Sequence, residues 1–330
     1  MILAIDQGSS KTQALIGDEC GTIYGSGVAE GACHFLIGME KAMRAVRSAA
    51  EAALRASKLP WESVSLVSAG MSGANWPEEF QTLREALDAI FGRGRSTVYN
   101  DCVPALYAGT RRPDAVILCA GTAFNAAVLK DRKLIWIYNN YTEKEDEGGK
   151  SVAERALKCV FRSATHMGPP TSLTEKALAF FGYEDVQPMV LDFSRGTMPR
   201  PVKDFATIVD DEAVRGDRVA LGVQYEFGIS VSRYATAALE RFGMLDRPVD
   251  IVLSGGIFKA ESPVMADAIR TEVHRVAPRA RVVESVYEPV VGAYLLALKP
   301  ECEAEWRPRV EETATGLSLV RFGRERFEHV

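Results

Sequence analysis

The succession of apolar runs and small-residue turns that opens this chain occurs twice, and that repetition leaves few architectures open to it. Residues 2–5 are apolar, end in Asp6, pass a Gly8-Ser9-Ser10 turn and resume as an apolar run at 12–16. After the turn Asp18-Glu19-Cys20-Gly21 a third run fills 22–28. From residue 114 the order returns: an apolar run at 114–119, a turn at Ala120-Gly121-Thr122, runs at 124–129 and 134–138, and between them the turn Lys130-Asp131-Arg132-Lys133. Run length and turn chemistry predict three strands in each place, the first two paired antiparallel. Behind the first triplet, Met39, Met43, Val46, Ala50, Ala53 and Leu54 recur at three- and four-residue spacing, which predicts an amphipathic helix over 38–57 ending before Pro60. A strand at 64–69, a helix after Pro77, a strand at 97–99 and a helix at 103–107 follow. Behind the second triplet helices dominate 149–242, with a long one over 217–242. Then come a strand at 251–253, a helix at 263–276, a strand at 280–283 and a helix at 290–298. Two βββαβαβα units in series describe a duplicated α/β domain, residues 1–112 and 113–330, with a cleft between the halves. The helix at about 290–299 is expected to pack back on the first domain. Residues after about 303 are charged and aromatic without long periodicity, and predict a terminal strand at 317–320 plus a tail.

Composition narrows the class. The chain has 330 residues, enough for two cores, with 47 % apolar and 25 % charged residues. A net charge of −5 without a concentrated basic stretch argues against a general nucleic-acid binder. The six cysteines are scattered, with no CxxC and no His at zinc-finger spacing, as expected of free thiols in a reducing cytosol. No apolar run reaches membrane-spanning length and the first residues read as a strand rather than a leader, so a cytoplasmic protein is expected.

The turns carry the candidate chemistry. Gly8 lets backbone approach a ligand, and Ser9, Ser10, Lys11 and Thr12 offer donors to an anion. Asp6, at the carboxyl end of a buried strand, is placed to hold hydrated Mg2+. A solvated hairpin tip explains the same loop without a ligand. Asp101 follows the strand ending at Asn100 and opens a helix. There it can take a proton from a substrate hydroxyl or cap the helix, and a capping carboxylate has a lowered pKa. Ser254-Gly255-Gly256 suits a nucleoside lying flat on backbone, or serves geometry alone. Ser72-Gly73-Ala74-Asn75 is a loop facing the cleft or simply a loop. Asp146-Glu147 is explained by the dipole of the helix that follows, or by Asp146 bonding the hydroxyls of a small polyol.

Taken together these turns resemble the sugar kinase/Hsp70/actin superfamily, and within it the N-acetylglucosamine kinases and the BadF/BadG/BcrA/BcrD-type ATPases, over residues 1 to about 298. Residues 6–12 look like the first phosphate loop, Ala120-Gly121-Thr122-Ala123-Phe124-Asn125 occupies the second, Ser254-Gly255-Gly256 is similar to the adenosine loop, and Gly292-Ala293 fits the closing helix. The Asn100-Asp101 pair implies that Asp101 is the catalytic base. The resemblance implies duplicated RNase H-like (actin/hexokinase-type) domains, ATP with Mg2+ as cofactors, and phosphorylation of a hydroxyl on a sugar, amino sugar or related polyol. Gly8, Ser9, Ser10, Lys11, Thr12, Gly121, Thr122, Ser254, Gly255 and Gly256 would bind the nucleotide. Asp6 would hold the metal, and Ser72, Gly73, Asn75, Asn100 and Asp146 would orient the acceptor. A homodimer is the assembly to test for. The pattern departs from the family at three places: Cys33-His34 stands where the kinases have Asn-His, Ala123-Phe124 where they have Gly-Ser, and no Gly-Gly-Trp-Gly precedes Asp146-Glu147-Gly148. Two further functions stay open on these departures. One is an ATPase driving a partner protein, although the paired cysteines of the activators are not apparent. The other is a nucleotide-binding regulator that has lost catalysis.

Overall fold

The computed structural model describes residues 1–320. In chain order the elements are β1 (Ile2–Gln7), β2 (Lys11–Gly17), β3 (Ile23–Glu30), α1 (His34–Ile37), α2 (Met39–Ser57), β4 (Leu66–Met71), α3 (Pro77–Phe91), β5 (Ser96–Asn100) and α4 (Cys102–Gly109). Then follow β6 (Ala115–Ala120), β7 (Phe124–Lys130), β8 (Lys133–Ile137), α5 (Gly148–Ala164), α6 (Leu173–Phe181), α7 (Val186–Arg195), α8 (Ala206–Val214), α9 (Arg218–Arg241), β9 (Asp250–Ser254), α10 (Val264–Val276) and β10 (Arg281–Glu284). The chain closes with α11 (Pro289–Leu295) and α12 (Glu303–Gly316). Two units emerge: residues 1–117 with the described residues from Val283 on, and residues 118–282.

The first unit holds a sheet in the order β3-β2-β1-β4-β5. β1 pairs antiparallel with β2 and parallel with β4, and β4 pairs parallel with β5. Because β strands alternate their faces, β1 and β2 divide their apolar side chains between two cores. Leu3, Ile5, Ala14 and Ile16 pack with Met43, Val46, Ala50 and Leu54 of α2 and with Leu83, Leu87 and Phe91 of α3. Ile2, Ala4 and Leu15 pack with Val290, Val291, Ala293 and Tyr294 of α11 and with Trp306, Val310 and Ala314 of α12. The second unit repeats the plan: its sheet runs β8-β7-β6-β9-β10, again third, second, first, fourth and fifth strand. The duplicated α/β domain expected from the repeated turns is present. In the second unit the segment between the third and fourth strands is expanded into α5–α9.

Four sequence expectations are corrected here. The fourth strand runs Leu66–Met71 rather than 64–69, because pairing with β1 sets Ile2 beside Leu66. Residues 303–316 form a helix, not irregular chain; Trp306, Val310 and Ala314 recur every fourth residue, a stripe hidden in the sequence by charges and by Pro308. The predicted terminal strand is, among the described residues, no more than a bridge between Val320 and Tyr287, with Glu288 N–H donating to Leu319 O at 2.9 Å. Residues 321–330 of the expected tail lie outside the described residues. The domain boundary also differs from 112/113. Not only the closing helix but the described chain from Val283 on completes the first unit, since without α11 and α12 one face of its sheet would be bare. Among the described residues no helix is long and apolar enough to cross a membrane.

Candidate active site

In the first unit, the parallel register sets Asp6 beside Gly70 and Gly70 beside Tyr99, so the carboxyl ends of β1, β4 and β5 share one edge. In open α/β sheets that edge is where ligands bind. Asp6 is partly exposed there. Next to it the β1–β2 turn is closed by Gly8 N–H donating to Lys11 O at 2.9 Å, with Ser10 at the exposed tip. The turn is strapped from the side: Ala32 N–H donates to Gly8 O at 2.9 Å, and a Cβ on Gly31 would overlap the Ser9 carbonyl. Lys11 Nζ bonds Gln13 Oε1 at 3.0 Å and Glu288 Oε2 at 3.2 Å, so its charge already has a carboxylate beside it. Thr12 and its cross-strand neighbour Gln7 are fully buried, and neither the hydroxyl nor the amide of this pair has a hydrogen-bond partner. Gln7 was not recognisable as a site residue. Its only signal is a polar residue in phase with Leu3 and Ile5.

Ser72 N–H donates to Gln7 O at 2.9 Å, which brings the 72–75 loop to the end of β1. Asn100 then joins this loop to α4. Its Nδ2 donates to Ala74 O and to Asn75 Oδ1, both at 3.0 Å, and its Oδ1 accepts the Cys102 N–H at 3.1 Å. Asp101 has helical backbone angles, φ −59° and ψ −24°, and makes no side-chain cap. The Cys102 N–H thus serves Asn100 as well as the Asp101 carboxyl, which makes no side-chain cap to the helix. One edge of Asp101 stays open to solvent. Burial of the carboxyl nonetheless pushes its pKa up to about 6, and the neighbouring Cys102 N–H, the Ser72 hydroxyl and its own N–H pull back only in part. A pKa near 6 suits a base that works at neutral pH. His34 of α1 lies against this loop, since a Cβ on Gly73 would meet its Cε1 at 2.8 Å; burial lowers the pKa of its ring.

The second unit brings together three pieces that lie far apart in sequence. The turn after β6 is closed by Gly121 N–H donating to Ala123 O at 2.9 Å, and Gly149 N–H donates to Gly121 O at 2.9 Å. Gly255, after Ser254 ends β9, has φ +102°, and a Cβ there would stand 2.9 Å from Ala120 N and overlap the rest of that peptide. Gly148, with φ +44°, presses on the same turn from the start of α5. Only glycine allows both the left-handed angle and the contact. Ser254 is buried while Gly256 is exposed, and the backbone of Gly121 faces open space on its Cβ side, with Thr122 following, partly exposed. The second expected phosphate loop and the expected adenosine loop are therefore contiguous.

Asp146 is fully buried. Its carboxylate accepts from Ser230 Oγ at 2.5 Å and Tyr234 Oη at 3.1 Å, and pairs with Arg155 at 3.4 Å and Arg233 at 3.5 Å. These groups fasten the segment before Gly148 to α5 and α9. Nothing in the local sequence of Asp146 signals partners on α9. Phe124 is also inside: it is buried, with its ring 4.9 Å from that of Tyr234. The aromatic that replaces a hydroxyl in the family pattern thus lies in the core and leaves exposed Ala123 on the turn. Phe124→Ser is accordingly expected to lose about 3–5 kcal/mol of stability in urea denaturation, with no gain in any ATP-dependent turnover. A faster variant of unchanged stability would show that the ring obstructs the turn.

Among the described residues no cluster of three or more His, Cys, Asp and Glu side chains could hold a metal ion. Mg2+ takes one or two carboxylates and completes its shell with phosphate oxygens and water, so a single carboxylate such as Asp6 at this edge is compatible with it. Comparison with known proteins gives this geometry its frame. Residues 3–297 match the BadF/BadG/BcrA/BcrD ATPase family. The chain is similar to an N-acetylmuramic acid/N-acetylglucosamine kinase of Clostridium acetobutylicum, 20 % identical over 248 residues, which are 73 % of this chain and 79 % of the relative. It is also similar to an N-acetyl-D-glucosamine kinase of Dictyostelium discoideum, 20 % identical over 318 residues, 90 % of this chain and 98 % of the other. Among solved structures, a candidate N-acetylglucosamine kinase from Chromobacterium violaceum superposes with a TM-score of 0.68 at 20 % identity, covering 89 % of this chain and 98 % of that one.

Proposed function

The chain belongs to the BadF/BadG/BcrA/BcrD ATPase family, and on that premise we propose that it is an ATP-dependent kinase acting on a hydroxyl of an amino sugar or related small polyol. The observation that carries this reading is Asp101: a carboxylate at the carboxyl end of a parallel strand, released from helix capping and tuned to a pKa of about 6. Its support from relatives is that those at 20 % identity are named as kinases of N-acetylglucosamine and N-acetylmuramic acid. Bound ATP with Mg2+ would supply the phosphoryl group and the charge neutralisation its transfer needs.

In this proposal Asp101 accepts the proton of the attacking hydroxyl, while Ser72, Gly73, Asn75 and Asn100 shape and orient the acceptor side. Asp6 would hold the metal. Within the first unit Gly8, Ser9, Ser10, Lys11 and Thr12, and within the second Gly121, Thr122, Ser254, Gly255 and Gly256, are read as nucleotide-binding residues. Lys11 would exchange its carboxylate partner for phosphate oxygens. Asp146, whose oxygens are engaged by protein donors, serves by holding Gly148 and Gly149 against the turn at Gly121. The acetamido contact implied by the family's Asn has no counterpart at Cys33, a buried thiol, so the acceptor is read as a class rather than as N-acetylglucosamine itself.

The test is ADP release with ATP and Mg2+ across amino sugars, neutral sugars, anhydrosugars and polyols. Stimulation by one acceptor class, abolished in Asp101→Asn, is the expected result. Hydrolysis that no acceptor stimulates, or ATP binding without hydrolysis, would refute the kinase reading.

A further inference from the structure

We propose that Asp210 of α8 is a positioning residue for the nucleotide, acting through the segment that joins Gly255-Gly256 to α10. The inference rests on the reading of Ser254, Gly255 and Gly256 as nucleotide-binding, and all the residues concerned lie in the second unit. At its first end the segment is fixed by packing, since Gly255 presses against the Ala120 peptide. Beyond Gly255 the backbone leaves the sheet. Gly256 and Lys259 are exposed, and Ile257–Lys259 make a single short turn. A turn of that length has few internal bonds to hold it in one place.

At its far end the segment meets Asp210. Oδ2 accepts the Glu261 N–H at 2.9 Å, while Oδ1 accepts Gln224 Nε2 at 2.8 Å and the Ser262 N–H at 3.4 Å. A carboxylate has acceptor sites for all three donors, so one side chain of α8 ties α9 to the entry of α10. Gln224 is 1 % exposed, and the amide that aims the carboxylate has no water to turn towards. Only its Nε2 can donate, which leaves its Oε1 buried without a hydrogen-bond partner. Asp210 itself stays partly exposed and is spared the full cost of burying a charge. Three residues after Ser262, Met265 O stands 2.7 Å from the place of a Cβ on Gly228, so α10 rests directly on α9. That close approach seats α10, and Asp210 sets the path that leads to it from Gly256.

The test uses the full-length chain and two measurements: hydrogen exchange at the Glu261 and Ser262 amides, and the affinity for ADP with Mg2+ by calorimetry. Asp210→Ala should speed exchange at both amides and weaken ADP by about tenfold or more. Where an acceptor is known, KM for ATP should rise likewise, while kcat and the acceptor KM stay within about twofold of wild type. A loss of folded protein alone would lower kcat and leave the affinity of the remainder unchanged. Asp210→Asn should restore both readouts, because its Oδ1 can accept from the segment and its Nδ2 can donate to Gln224 Oε1. If Asp210→Ala does not fold, Asp210→Ser, whose hydroxyl is too short to bridge these donors, takes its place with the same expectations. Unchanged exchange, faster exchange with unchanged ADP affinity, or an Asp210→Asn variant as impaired as Asp210→Ala overturns the proposal. Wild-type protein that binds no ADP would instead overturn the nucleotide reading, and this inference with it.

Discussion

Asp101→Asn is expected to lower kcat/KM by about 10²–10⁴-fold while making the protein more stable at neutral pH. The two effects have one cause. Desolvation raises the Asp101 carboxyl from 3.8 to about 6, so the folded chain binds this proton more tightly than the unfolded chain does. Its contribution to stability is fully present below about pH 4, declines as the pH rises, and is lost above about pH 6. Two pKa units correspond to about 3 kcal/mol, and the open edge of Asp101 reduces the expected gain at pH 7.5 to about 2 kcal/mol, seen as a Tm a few degrees higher. An Asn at the same place keeps the shape without the desolvation cost of a charge. For the wild type, the base must be ionised to act, so kcat/KM should fall below about pH 6 with a single-proton slope. An Asp101→Asn enzyme that keeps near wild-type turnover would remove Asp101 as the base. An acid limb near pH 4 would place Asp101 in the capping role instead.

The largest purely structural effect is expected at Gly292. A Cβ there would overlap the Pro104 carbonyl oxygen and stand 2.7 Å from its carbon and 2.8 Å from Ala108 N. These are backbone atoms of α4, so no side-chain rotation can relieve the contact. α11 is held from its other side by Ser68 Oγ, which donates to Ala293 O at 2.6 Å. Gly292→Ala should therefore cost about 3 kcal/mol or more, at the upper end for overpacking, or displace α4 and with it Asp101 at its start. Either way turnover should fall in the fraction that stays folded. Gly222, within α9, is the control: a Cβ there meets nothing within 4 Å, and Gly222→Ala should stabilise the helix by about 0.5–1 kcal/mol. Urea denaturation of the two variants separates the outcomes. Equal stabilities would show that the α4–α11 contact adjusts freely.

Much of the fold and part of the site could be read from the chain before any coordinates. The strand triplets at 2–28 and 114–138 announce themselves through short-range alternation and turn residues, and their repetition implies the duplicated α/β plan that the strand orders display. Gly8, Gly121 and Gly255 mark turns in the sequence, and at Gly255 φ and close approach to Ala120 restrict what can stand there. The pair Asn100-Asp101 sits where a parallel strand ends. All these signals act over a few residues.

Tertiary structure alone decided the rest. That the Asn100 amide is fixed beside the start of α4 depends on Ala74 and Asn75, 26 and 25 residues away. Asp146 is enclosed by Ser230 and Tyr234, 84 and 88 residues further on, so its environment could not be read from Asp146-Glu147-Gly148. Phe124 goes inward because Tyr234 offers it a ring, and α12 exists as a packed helix because Trp306, Val310 and Ala314 find the bare face of the first sheet. Local sequence determined which elements form and where the chain turns, because those depend on neighbouring φ, ψ angles and short apolar periods. The state of each functional side chain was decided by the desolvation and hydrogen-bond partners that folding brings from far along the chain.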